Sequence, residues 1–133
     1  MLTKIKNELI YLSTLRRILS SLKSINNDES AIITKKIAGY AASAKSTTVL
    51  NYCNIGPELI EFISDTTPIK QGKYSPGMHI PVRSYETLQN GYPDGFLLFA
   101  WNHKEEILEK ESSFLQAGGE WITYVPKVDI IRR

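Results

Sequence analysis

The stretch Ile37-Ala38-Gly39-Tyr40-Ala41-Ala42-Ser43-Ala44-Lys45-Ser46 decides how this chain reads. An apolar run closes on a glycine, a turn of small residues follows, and a segment of helical texture begins. A buried strand rolls over into a helix in this way in parallel α/β architecture. Ligands of open parallel sheets bind beyond the carboxyl ends of the strands, so the corner at 39–46 is the first candidate for a site. A helix N-terminus there presents amides and a positive dipole to an anion, and Lys45 adds a charge. The plainer alternative is a tight strand-to-helix turn with a surface lysine.

Outward from this corner the alternation continues. Residues 33–40 read as the first strand and 44–54 as a helix, stopped by Gly56-Pro57. Residues 59–64 form a second strand ending at Asp65. A long loop at 66–81 holds Pro68, Pro76, Pro81, Gly72 and Gly77. Ser84 caps a short helix through Gln89. Residues 95–101 form a third strand. Asn102, with Glu105 three residues on, has the pattern of a capping box opening a helix that runs to Ala117. Gly118-Gly119 ends it, and 121–125 is the last strand. The expectation is an open parallel sheet of about four to five strands with helices on both faces.

Ahead of this, residues 2–25 read as one long N-terminal amphipathic helix. Leu2, Ile5, Leu9, Leu12, Leu15, Leu19 and Leu22 fall at spacings of three and four. Residues 26–30 are a polar loop. The chain thus divides into a helix and linker at 1–30 and an α/β domain at 31–133. The stripe packs on the domain that follows or, being nearly heptad-spaced, pairs with another domain or chain, a homodimer included.

Composition narrows the classes. With 133 residues, 42% apolar and 23% charged, the chain can bury a core without metal or disulfide staples. A net charge of +2 gives no argument for nucleic acid. The single cysteine, Cys53, excludes an intrachain disulfide and an all-cysteine zinc site, and reads as a small buried hydrophobe. No apolar run is long enough for a membrane span, and the polar N-terminus has no signal-peptide pattern, so the expected setting is the cytoplasm.

Other chemistries are weakly supported. Gly39-x4-Ala44-Lys45-Ser46 approaches a phosphate-binding loop, but Ala44 stands where a glycine must let amides turn inward. Asp65 lies 26 residues after Gly39, near the spacing at which an acidic residue meets ribose hydroxyls, although it also reads as a turn cap. His103 reads as a solvated helix-start residue and His79 sits in an unusual Gly-Met-His-Ile-Pro loop. Two histidines without cysteine partners point to no metal site, and no nucleophile has an elbow around it. Glu105, Glu106, Glu109 and Glu111 read as a solvated helix face.

The motif string is more specific than these spacings. Residues 37–53, Ile60-Glu61-Phe62-Ile63-Ser64-Asp65, the loop 70–81 and Ala100-Trp101-Asn102 occur in the order found in the C-terminal domain of bacterial sugar C-methyltransferases, and the chain over 31–126 resembles that family. The resemblance implies a Rossmann-like domain that follows a zinc-binding part and an S-adenosylmethionine domain. It implies a complete enzyme that methylates a carbon of a nucleotide-linked keto sugar. This domain then holds the nucleotide-sugar, contributes no catalytic residue, and binds no metal or cofactor itself. By the same resemblance the ligand-face positions are Gly39, Tyr40, Ser43, Lys45, Asp65, Lys70, Gly72, Tyr74, Gly77 and His79. Amides near Ser43 and Lys45 are expected to meet phosphate, Asp65 a hydroxyl, and Tyr74 a base, while Lys70 and Lys73 add charge. The helix 2–25 is the expected connector to the methyltransferase domain or a partner chain.

Two departures stand out. The family pattern usually reads Gly-Tyr-Gly where this chain has Gly39-Tyr40-Ala41, and no methyl-donor motif or cysteine cluster occurs in the 133 residues. The alternative is a structural module that kept the fold, lost the ligand, and oligomerises or docks through its N-terminal helix.

Overall fold

Alternation along the strands sends side chains into two apolar clusters, one on each side of a single sheet. The computed structural model describes residues 14–22 and 35–133. In chain order these form α1 (14–22), β1 (Ile37–Tyr40), α2 (Ala44–Tyr52), β2 (Ile63–Asp65), β3 (Val82–Ser84), β4 (Gly95–Leu98), α3 (Lys104–Lys110), α4 (Ser112–Gln116), β5 (Glu120–Thr123) and β6 (Asp129–Ile131). Ile37 and Leu97 point to one cluster, and Ala38, Tyr40, Phe96 and Leu98 to the other. Strands buried on both faces read as continuous apolar runs, which is why β1 and β4 were legible.

The six strands are ordered β3-β2-β1-β4-β5-β6. All neighbours are parallel except β5 and β6, which are antiparallel. Strand order reverses between β1 and β4, so the carboxyl ends of β1, β2 and β4 gather at one edge. On one face α1 and α2 cover the sheet, with Leu15, Leu19 and Leu50 fully buried. The other face carries α3, α4 and a 3-10 turn at Tyr85–Asn90. Its centre is aromatic: Phe96 stacks on Trp121 at 5.3 Å, and Phe114 meets both rings edge-on at 4.8 and 5.3 Å. Such pairs each add about 0.5–1.5 kcal/mol beyond burial.

Several expectations are corrected. Among the described residues the sheet has six strands, not four to five, because β3 and β6 are three residues long and show no alternation. The second strand begins only at Ile63, since Leu59 and Ile60 bond back to Gly56 in a turn. The third strand stops at Leu98, and Trp101 lies in a 3-10 turn, Trp101–His103. The helix expected over 102–117 is broken at Glu111 (φ −102°, ψ 30°). The Asn102–Glu105 capping box does not form, because the Asn102 side chain accepts Lys45 Nζ at 2.6 Å instead. That charge-assisted bond outcompetes a neutral cap. A capping box does form at Ser43 and Ser46, opening α2.

Within α1, Leu15 and Leu19 lie one turn apart and pack into the same core as Ile37 and Leu50. The rest of the helix expected at 2–25 and the loop at 26–30 lie outside the described residues, and the first strand, expected from residue 33, begins at Ile37, with Lys35 and Lys36 outside it.

Candidate functional site

The turn after β1 is built by hydrogen bonds from its neighbours. Ala41 N donates to Ser64 O (2.8 Å), Ala42 N to Asp65 Oδ2 (2.7 Å) and Ser43 N to Ser46 Oγ (2.9 Å). Asp65 Oδ1 accepts Thr67 N at 2.7 Å, so each carboxylate oxygen holds one backbone amide. Asp65 therefore caps two turns at once. Burial pushes its carboxyl up, but the amides of Thr67 and Ala42, the Thr67 hydroxyl and the Lys70 charge outweigh that and hold it below the ordinary carboxylate value. Ala44 and Lys45 open α2, where amides have no carbonyl of their own helix to bond. Ala41 adopts φ 74°, the left-handed conformation that favours glycine. The usual Gly-Tyr-Gly pattern thus has a backbone reason, and Ala41 meets that geometry under strain.

Beside this corner, on the α3 face, lies a cleft of about 380 Å³. Its floor is Tyr40 and Ser64 at the ends of β1 and β2, with Asp65 beside them; residues 41–43 form one side, Glu106, Ile107 and Lys110 of α3 another, and Tyr85 closes a corner. Lys70 and Lys110 are exposed and stand at the rim, whereas Tyr40, Ser64 and Asp65 are buried. Lys70 Nζ donates to Ala42 O at 2.6 Å. The Ser64 hydroxyl is buried and has no hydrogen-bond partner among the described residues. Hydroxyls and the Asp65 carboxylate below, with ammonium groups at the rim, suit a ligand with a hydroxylated ring and an anionic group.

Behind the cleft Glu111 is 3% exposed, and its Oε1 accepts the phenols of Tyr40 (2.9 Å) and Tyr85. This corrects the reading of Glu111 as part of a solvated face: the helix break turns its side chain inward. Burial first, and then the bond to the Glu111 carboxylate and its charge, push the Tyr85 phenol up to about 12 and the Tyr40 phenol higher still.

Of the positions singled out from sequence, Tyr40, Ser43, Asp65 and Lys70 line the cleft. Gly39 lies behind it, where its missing side chain admits the Phe99 ring; a Cβ there would sit 2.7 Å from Phe99 Cε2. Lys45 points to the end of β4, bonded to Asn102 and 5.0 Å from the centre of the Trp101 ring. Gly72, Tyr74, Gly77 and His79 belong to the 66–81 loop and do not line the cleft. Asn51 of α2 anchors that loop by donating to Pro76 O at 3.0 Å. Tyr85, Ser64, Glu106 and Lys110 were missed. Strand alternation from Ile63 could have placed Ser64 on the Tyr40 face; nothing local marks the others.

A family model described as the C-methyltransferase C-terminal domain matches residues 13–126. The chain belongs to this family. The C-methyltransferase NovU of Streptomyces niveus is 43% identical over 97 residues, which are 73% of this chain and 23% of NovU. The chain thus spans under a quarter of that relative's length. The family is the one expected from the motif string, and the β1–α2 corner and the cleft both lie inside the matched residues of this C-methyltransferase domain. Among the described residues, no helix is long and apolar enough to cross a membrane.

Proposed function

We propose that this domain holds the nucleotide-linked sugar for an S-adenosylmethionine-dependent sugar C-methyltransferase, as its Rossmann-like, substrate-binding C-terminal part. The observation that carries the reading is the cleft at the carboxyl ends of β1 and β2, rimmed by Lys70 and Lys110 and lying within the family match. In this reading the sugar enters over Tyr40 and Ser64. Asp65 offers its remaining lone pairs to a hydroxyl. Lys70, Lys110 and the first amides of α2 meet the diphosphate, and the base extends beyond the cleft. The residues at the corner do not suit the methyl donor: the turn reads Ala41-Ala42-Ser43 rather than glycine-rich, and Asp65 holds the Ala42 amide. The donor and the catalytic base are therefore assigned to a methyltransferase domain outside these 133 residues, in the same polypeptide or a partner chain. This chain is inactive alone, and its setting is the cytoplasm.

Calorimetric titration of the full chain with thymidine diphosphate glucose and uridine diphosphate glucose tests this. Heat of binding at up to millimolar ligand is expected; folded protein that takes up neither ligand would overturn the reading.

A structural module that has lost its ligand is the second reading, favoured by the strained Ala41 and by the engaged amides of Ala42 and Ser43. It calls for an oligomer through the N-terminal helix. Light scattering that finds the full chain to be a monomer would remove it.

A further inference from the structure

We propose that Glu111 is a positioning residue of the cleft, one buried carboxylate oxygen tying the β1 floor and the Tyr85 corner to the end of the α3 wall. The proposal rests on the reading of the cleft as a sugar-nucleotide site and adds what sets its width. Three observations carry it. First, α3 buries none of its own residues; Lys104, Ile107 and Leu108 are partly covered and the rest are exposed. The buried anchor at its end is Glu111. Second, Glu106, Ile107 and Lys110 of that weakly anchored helix are one side of the cleft, while Tyr40 and Tyr85 are others. Both phenols converge on the same Glu111 oxygen, so the two walls cannot separate without breaking a bond to a charged acceptor. Third, among the described residues no Lys, Arg or His forms a salt bridge with Glu111. A buried carboxylate held by phenols alone is a costly way to glue a helix that apolar side chains could hold. What it supplies that they would not is a defined direction for two hydroxyls and hence a fixed gap.

The test uses the full chain as wild type and as Glu111→Gln, Glu111→Ala and Tyr85→Phe. Amide hydrogen exchange is followed in α3 and β4, and binding of thymidine diphosphate glucose by calorimetry well below the melting temperature. In Glu111→Ala, α3 amides should exchange faster while β4 stays protected, and affinity should fall about tenfold, the scale of one lost charge-assisted hydrogen bond. Glu111→Gln keeps an acceptor oxygen and should recover affinity to within about threefold of wild type. Tyr85→Phe removes one tie and should fall between, and it decides the matter in the same way should Glu111→Ala not fold. A lower melting temperature with unchanged α3 exchange and unchanged affinity overturns the proposal and leaves Glu111 a packing residue. A wild type that binds no sugar nucleotide overturns the substrate reading instead, and the exchange measurements still decide whether Glu111 latches α3.

Discussion

The carboxylate of Asp65 accepts the amide of Ala42 at 2.7 Å, so the end of β2 holds in place the turn that leaves β1. With Thr67 on its other oxygen, Asp65 ties three segments at the mouth of the cleft. Asp65→Asn keeps the shape but turns one acceptor into a donor, leaving Ala42 or Thr67 facing an N–H. A loss of about 1–3 kcal/mol at neutral pH is expected, the cost of an unsatisfied buried group. The pH dependence has a definite sign. The folded carboxyl lies below its unfolded value, so its contribution is full above an unfolded pKa of about 3.9 and drains as pH falls through the folded one. Urea denaturation should show the wild-type advantage shrinking below about pH 4. A constant gap down to pH 2 contradicts the account.

Ala41 carries a side chain where φ is 74°. Left-handed backbone costs a non-glycine residue about 1–2 kcal/mol, partly offset by the freedom glycine gains in the unfolded chain. Ala41→Gly should therefore raise stability by about 1 kcal/mol, a melting shift of a few degrees readable by scanning calorimetry. A lower melting temperature would show that the methyl's contacts outweigh the strain.

The Ser64 hydroxyl is buried without a partner among the described residues. Removing it leaves no bond broken and deletes an unsatisfied polar group, so Ser64→Ala should leave stability unchanged or raise it by about 1 kcal/mol. Chemical denaturation at neutral pH measures this. A loss above 1 kcal/mol would mean that the hydroxyl bonds an ordered water or a neighbour.

Two glycines in the 66–81 loop separate strain from collision. Gly72 (φ 78°) faces open space, whereas a Cβ on Gly77 (φ 85°) would lie 1.9 Å from Asn51 Oδ1. Gly72→Ala should cost about 1 kcal/mol, the left-handed penalty alone. Gly77→Ala should cost at least about 1 kcal/mol more, because Asn51 must abandon its bond to Pro76 O. Equal losses would mean that the loop lifts off α2 freely.

Much of this was readable one residue at a time. Ile37 to Tyr40 and Gly95 to Leu98 are apolar without interruption because both faces of each strand are covered. Leu15 and Leu19 recur at four because one side of α1 is buried. Cys53 is the buried small hydrophobe expected of a lone cysteine, and its thiol is pushed up to about 11 by that burial. Asp65 is the turn cap that its type and place suggested. The order of the motifs named the family. Less readable were β3 and β6, three residues each, and the choice of Asn102 as partner for Lys45 rather than as a helix cap.

The sequence by itself determined the layers, the corner at 39–46 and the family, because each rests on burial or on a run of neighbours along the chain. Only the tertiary structure decided that Glu111 turns inward, that Lys45 leaves the cleft for Trp101, and that the loop carrying Gly77 and His79 packs on α2. Tyr40 and Glu111 stand 71 residues apart, and no local rule of period or propensity reaches that far. Their meeting depends on where the sheet brings the end of β1 and on how α3 breaks, and the cost of leaving a buried polar group alone then selects the partner.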